Sequence, residues 1–335
     1  TQLGGDIDGE ASGDYSGTSV SLSSDGTIVA IGANRSDGNG SNSGHVRLYS
    51  WNVLSTSWTQ LGGDIDGEAS GDLSGYSVSL SSDGTIVAIG ALLNDGNGSN
   101  SGHVRVYSWN GLSTSWTQLG GDIDGEATSD ESGRSVSLSS DGTKVAIGAS
   151  YNDGNGVSSG HVRVYEYSDS SWSKLGSDID GEAADDWSGN SVSLSSDGTI
   201  VAIGAKFNDG NGSNSGHVRV YQYSDSSWTQ LVLDIDGEAT NDWSGNSVSL
   251  SSDGTKVAIG ATYNAGNGSD SGHVRVYDIE TPTISSVSLA ADNSTITVTT
   301  SKSVYNSSGG SSDLEATDFA LSISGGSATL TSATP

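Results

Sequence analysis

Five copies of one sentence occupy most of this 335-residue chain and leave few folds open to it. Starting at Gly17, Gly75, Gly133, Gly189 and Gly245, each copy reads close to SG-x-SVSLSSDGT-x-VAIGA. A loop near NDGNGSNSGHVRVY follows, and then SWTQLGGDIDGEA. The histidines His45, His103, His161, His217 and His273 mark the period, with separations of 58, 58, 56 and 56 residues. A period of this size with little length drift specifies an array of supersecondary units, each completing its core against the next.

One copy reads as four strands. Ser19-Val20-Ser21-Leu22-Ser23 alternates apolar with polar, whereas Ile28-Val29-Ala30-Ile31 is apolar on both faces, as a strand between two packed sheets must be. Ser24-Asp25-Gly26 between them predicts a tight antiparallel hairpin. A loop of turn formers, Ser36 to Gly44, leads to a third strand, His45 to Tyr49, and Trp58 to Ile65 alternates as a fourth. Repeated four-stranded meanders pack radially into a propeller. The chain opens on Thr1-Gln2-Leu3-Gly4-Gly5-Asp6-Ile7, the wording of a fourth strand, and the last copy stops after its third, His273 to Tyr277. The expected fold is therefore all-β, a five-bladed β-propeller of four-stranded antiparallel blades over residues 1–280, closed by the N-terminal strand. From residue 281 to 335 the wording changes. The short runs Ile284 to Leu289, Thr295 to Thr299 and Phe319 to Ile323 predict part of an Ig-like β-sandwich.

Composition narrows function more than it names it. Forty-one acidic residues against 12 Lys plus Arg give a formal charge of −29, which argues against nucleic acid and anionic membrane surfaces as partners. No apolar run reaches the ~18 residues of a membrane span, so direct insertion is not expected. With no cysteine there are no disulfides, thiolate metal sites or cysteine nucleophiles.

The blade wording resembles the FG-GAP repeats of integrin α-chain propellers and their bacterial relatives. SG-x-SVSLS stands where that family has FG-x-SV, VAIGA where it has its GAP strand, and GHVRVY where it has G-x-VYVY. The tail resembles Ig-like modules of bacterial surface proteins. The FG-GAP resemblance implies a secreted or cell-surface adhesion or ligand-display module, commonly calcium-stabilised. In that family an Asp-rich calcium loop joins the first two strands; here Ser23-Ser24-Asp25-Gly26-Thr27 stands there, so that site does not carry over.

An acidic motif elsewhere recurs with the blades. Its carboxylates, Asp8, Glu10 and Asp14, then Asp66, Glu68 and Asp72, then Asp124, Glu126 and Asp130, then Asp180, Glu182 and Asp186, then Asp236, Glu238 and Asp242, are candidate ligands for calcium, which takes six to eight oxygens. The competing expectation is scaffold, with Asp6 and its equivalents paired to Arg47, Arg105, Arg163, Arg219 and Arg275. The five histidines occupy one repeat position and are expected to serve the scaffold. Trp51, Trp58, Trp109, Trp116, Trp172 and Trp228 are expected to cover outer blade edges.

Function is sought where the copies differ, in the loops joining neighbouring blades. The candidate ligand-binding residues are Tyr15, Thr18, Leu73, Tyr76, Glu131, Arg134, Trp187, Asn190, Trp243 and Asn246. Asn39, Asn97, Asn211 and Asn267 begin Asn-Gly-Ser, a glycosylation acceptor. The chain carries no G-x-S-x-G, H-E-x-x-H or phosphate-loop signature, and its carboxylates repeat with the blades, so no enzyme is expected. The leading expectation is a non-enzymatic extracellular adhesion or display module that binds a protein or glycan. The alternatives are a structural repeat of a surface coat or filament that associates with itself, and a carbohydrate-active propeller.

Overall fold

In the first copy the serine-alternating run becomes β1 (Ser16–Leu22) and the doubly apolar run β2 (Ile28–Ala33), paired antiparallel. Asp25 closes their hairpin by accepting from the Thr27 amide at 2.9 Å and from the Ser23 and Thr27 hydroxyls at 2.8 Å; these bonds hold its carboxyl below the usual range. β3 (His45–Asn52) follows, and β4 (Ser57–Gln60) pairs with its far end. The expected single fourth strand is split: β5 (Ile65–Asp66) resumes pairing at the start of β3, and Gly62-Gly63-Asp64 bulges out between the two pieces. Gly62 has φ +83°, and the rings of Trp109 and Trp116 from the next blade fill the space a Cβ would need.

The same sheet recurs in blades 2, 3 and 4, and blade 5 has its first three strands, Ser244–Leu250, Lys256–Ala261 and His273–Asp278. This computed structural model describes residues 1–280, 284–289 and 296–300, divided into two units, Thr1–Ile279 and Glu280–Pro335. The first unit is an all-β, five-bladed propeller. In the second, Ile284–Leu289 and Ile296–Thr300 pair antiparallel. Thr295, Phe319 to Ile323 and the rest of the expected sandwich lie outside the described residues.

The core lies between blades, not within them. Ala30, Val46, Leu48 and Ile65 of blade 1 pack on Leu80, Val87 and Ile89 of blade 2, and three equivalent clusters fill the next seams. Trp116 packs on the first of these and donates to the Leu61 carbonyl at 2.8 Å, so the tryptophans reach across the seams onto the outer strand of the preceding blade. Near the axis the Ser24 amide donates to Ser82, Ser82 to Ser140, Ser140 to Ser196 and Ser196 to Ser252, each at 2.8 Å.

This axial series does not return from Ser252 to Ser24 among the described residues, and the ring is not closed by the N-terminal strand as expected. Residues 1–7 form no strand. Leu3-Gly4 docks on blade 1, where Trp58 donates to the Leu3 carbonyl at 3.0 Å, because it repeats the Leu61-Gly62 wording that the tryptophans of blade 2 grip. Blade 5 does not abut blade 1: Val274 and Val276 are 68 % and 67 % exposed where Val46 and Leu48 are fully buried, and Val20 and Leu22 are exposed on the opposite end face.

Close approach at the seams yields a prediction. A Cβ on Gly148 would collide with the Gly189 carbonyl of the next blade, whereas Gly260 at the equivalent place in blade 5 has no such neighbour. Gly148→Ala is expected to cost about 1–3 kcal/mol of stability in thermal or denaturant unfolding, and Gly260→Ala markedly less. Equal losses would place a further blade against blade 5.

Candidate functional site

At the end of each blade where β1 begins and β2 finishes, two loops meet: the acidic connection entering the blade and the glycine-rich loop leaving β2. Arg47, pointing from β3, donates to the Asp8 carbonyl at 3.0 Å and lies 3.3 Å from Glu10, and the other four arginines repeat this tie. Asp6 and its equivalents are therefore not the arginines' partners. They accept instead from Gln2, Gln60, Gln118, Lys174 and Gln230 at 2.6–2.8 Å.

The candidate calcium ligands of one motif are drawn apart by different partners. Asp72 is buried and accepts from the Ala69 amide and from Asn94, both at 3.0 Å; Asp130, Asp186 and Asp242 do the same, and Asp14 keeps the amide bond. Asp66, Asp124, Asp180 and Asp236 give their carbonyls to arginine, and Glu68, Glu126, Glu182 and Glu238 sit beside its guanidinium. A different acidic grouping does form. Glu10, His45 and Asp64 bring donor atoms within 4.8 Å of one another, as do Glu68, His103 and Asp122, then Glu126, His161 and Asp178, then Glu182, His217 and Asp234. Two carboxylates and an imidazole are a donor set that a divalent cation accepts, opposed here by the neighbouring arginine.

The variable positions assemble a second feature. Tyr15, Leu73, Glu131, Trp187 and Trp243 all have φ between +54° and +56°, a left-handed turn costing a non-glycine residue on the order of 1 kcal/mol. Each accepts at its carbonyl from the amide three residues on, in Thr18, Tyr76, Arg134, Asn190 and Asn246. Trp187 lies tilted against Tyr151 at 4.5 Å and edge-to-face with Phe207 at 4.6 Å, and Phe207 with Trp243 at 4.8 Å and Trp243 with Tyr263 at 4.2 Å also meet edge-to-face. Two cations interleave with this arc. Arg134 pairs with Glu131 at 2.8 Å and lies 5.5–5.8 Å from the rings of Tyr76, Tyr151 and Trp187. Lys206 lies 5.0–5.6 Å from Trp187, Phe207 and Trp243; burial, and then the Arg134 charge, lower its pKa. On blade 1 Arg35 covers Tyr15, while Thr18 donates to Asn34 at 3.0 Å. Sequence reasoning missed Arg35, Tyr151, Lys206, Phe207 and Tyr263. The signal was present, because the two residues after VAIGA read Asn-Arg, Leu-Leu, Ser-Tyr, Lys-Phe and Thr-Tyr.

Three of the candidate glycosylation residues have their amides engaged. Asn39, Asn97 and Asn211 each donate through Nδ2 to two carbonyls of the following acidic connection at 2.8–3.1 Å. Asn155, which begins no acceptor sequence, makes the same bonds, so the asparagine serves the seam. Asn267, beyond the last seam, is exposed.

The FG-GAP repeat family matches residues 7–49, 65–107, 123–165, 178–221 and 230–277. The chain belongs to the FG-GAP repeat family. FG-GAP repeats are typical of extracellular proteins, and among the described residues no helix is long and apolar enough to cross a membrane. No curated protein matches it in sequence. Among solved structures, this FG-GAP chain is similar to a candidate 6-phosphogluconolactonase from Bacteroides uniformis, at 14 % identity and TM-score 0.50, with 84 % of this chain and 77 % of that one covered. The periplasmic gluconolactonase of Pseudomonas aeruginosa aligns at 14 % identity and TM-score 0.48, over 84 % of this chain and 77 % of its own. The first of these neighbours corrects the expectation that the chain is not an enzyme. Its architecture is shared with proteins named for enzymatic activity, so neither the propeller nor the missing motifs exclude catalysis. At this identity the likeness concerns the fold alone.

The buried histidines predict a pH dependence. Burial, reinforced by the adjacent arginines, lowers His103, His161 and His217 from an unfolded value near 6.5 to about 4. The unfolded chain therefore holds more protons between these values. Stability is complete above about pH 6.5 and falls toward about pH 4, by up to roughly 3 kcal/mol per ring. Glu68 and Glu182, raised by burial, take up protons on folding and soften the fall. Unfolding free energy is expected to drop by several kcal/mol between about pH 7 and 4.5, and His161→Gln to flatten the profile. A pH-independent free energy would contradict the burial of neutral imidazoles.

Proposed function

We propose that this FG-GAP propeller is an extracellular adhesion or ligand-display module whose ligand seats on the aromatic arc from Tyr76 to Tyr263. The observation that carries this reading is where the repeat is broken. Seam residues are nearly invariant from blade to blade, while the residues at the two variable loop positions come together as edge-to-face rings and cations at one end of the propeller. A half-buried aromatic surface held by strained turns is a costly arrangement for a surface that binds nothing.

A second reading, a coat or filament module, draws on the end faces of the array. Val20 and Leu22 on blade 1 and Val274 and Val276 on blade 5 expose the two halves of the seam that is buried four times inside the molecule. Such a head-to-tail pair generates rings or open fibres.

One set of measurements separates the readings. The chain and its Trp187→Ala/Trp243→Ala variant are applied to immobilised extracellular proteins and polysaccharides, with circular dichroism confirming the fold of both. The ligand-face reading expects capture that falls at least about tenfold in the variant. Absence of capture, or equal capture, rejects it. The coat reading expects sedimentation to rise with concentration and Val276→Lys to abolish that rise.

A further inference from the structure

We infer that the arc takes a sugar chain bearing anionic groups, a uronate or sulfated glycan, with Lys206 receiving the anion; this rests on the ligand-face reading above. Lys206 is the starting point because of what surrounds it. In a chain with 41 acidic and 12 basic residues, its ammonium sits over three aromatic rings and forms no ion pair among the described residues. The five repeat arginines are spent on the acidic connections, and Arg134, the nearest cation, already has Glu131 at 2.8 Å. A positive charge held half-buried beside a second one, amid so many carboxylates and yet paired with none, is a seat for an anion from outside.

The neighbours of Lys206 describe the rest of that ligand. Trp187, Phe207 and Trp243 adjoin one another at 4.6–4.8 Å and give a strip of ring surface spanning neighbouring blades. Asn190 and Asn246 flank it, and the Asn246 side-chain amide has no hydrogen-bond partner among the described residues. A sugar ring meets both requirements at once, since it presents C–H faces to aromatic rings and hydroxyls to amides. An anionic substituent on that ring supplies what Lys206 lacks. Nucleic acid fits poorly, because a phosphate polymer would meet the −29 field, and among the described residues most of the cations are already paired with carboxylates.

The intact chain is titrated calorimetrically with four probes: an oligogalacturonate, a sulfated dextran oligosaccharide, neutral dextran and poly-glutamate. The inference expects binding of the uronate, the sulfated sugar or both, which identifies the anion, with neutral dextran at least about tenfold weaker. Lys206→Gln should weaken the anionic sugar about tenfold and Lys174→Gln, which removes an exposed ion pair elsewhere, should not. Neutral dextran binding as tightly, with no effect of Lys206→Gln but loss in Trp187→Ala, would overturn the anion and leave the ligand face standing. Poly-glutamate binding as tightly as the uronate would overturn the sugar. Failure of both anionic sugars would overturn the inference, while capture on the immobilised panel judges the ligand face independently.

Discussion

Everything in this propeller depends on the seam between successive blades. A blade has no core of its own, so its doubly apolar second strand is tolerable only when another sheet covers each face, and the repeat supplies that sheet. Three polar devices set the register of the apolar contact. Serine amides link blades near the axis, an arginine from the third strand grips the preceding acidic connection, and tryptophan reaches the Leu-Gly notch of the preceding outer strand. All three cross the same gap, the serine amide donating forward to the next blade and the arginine and tryptophan back to the preceding one, which explains why their residues recur with so little change.

That division of labour locates function. Residues committed to the seam, including the acidic motif that most resembles a metal loop, are already bonded by their neighbours. Asp72 is buried under an amide and Asn94, and the Arg105 guanidinium lies beside Glu68. Residues free of the seam sit where two loops meet above the first two strands, and there the chain varies. The positive φ shared by Tyr15, Leu73, Glu131, Trp187 and Trp243 shows how the scaffold serves the variation, since one fixed turn, five times repeated, presents four different kinds of side chain.

Much of this was legible in the residues. Alternation in Ser19 to Ser23, the apolar run after Thr27 and the Asp25-Gly26 hairpin are local signals, and they become β1, its turn and β2 with little revision. What was not legible depends on contacts between repeats. Gly62-Gly63 breaks the fourth strand because tryptophans of the next blade occupy the notch, and Arg47 chooses Glu10 and the Asp8 carbonyl over Asp6 through the path of a loop. Whether the last blade meets the first depends on the angle accumulated over four seams, which no single repeat encodes. Tyr151, Phe207 and Tyr263 were hidden for a simpler reason: they follow a conserved strand, and only the fold brings them beside the residues before the SG turn.

The most direct test of this account is amide hydrogen exchange along the axial serines. Seams that hold the molecule together predict that the amides of Ser24, Ser82, Ser140 and Ser196 exchange only through global unfolding, while Ser252, which finds no such carbonyl beyond it among the described residues, exchanges fast. Equal protection of Ser252 would mean that blade 5 meets blade 1 and the ring is closed. Fast exchange at all five would mean that the stacking of blades is not what stabilises the fold.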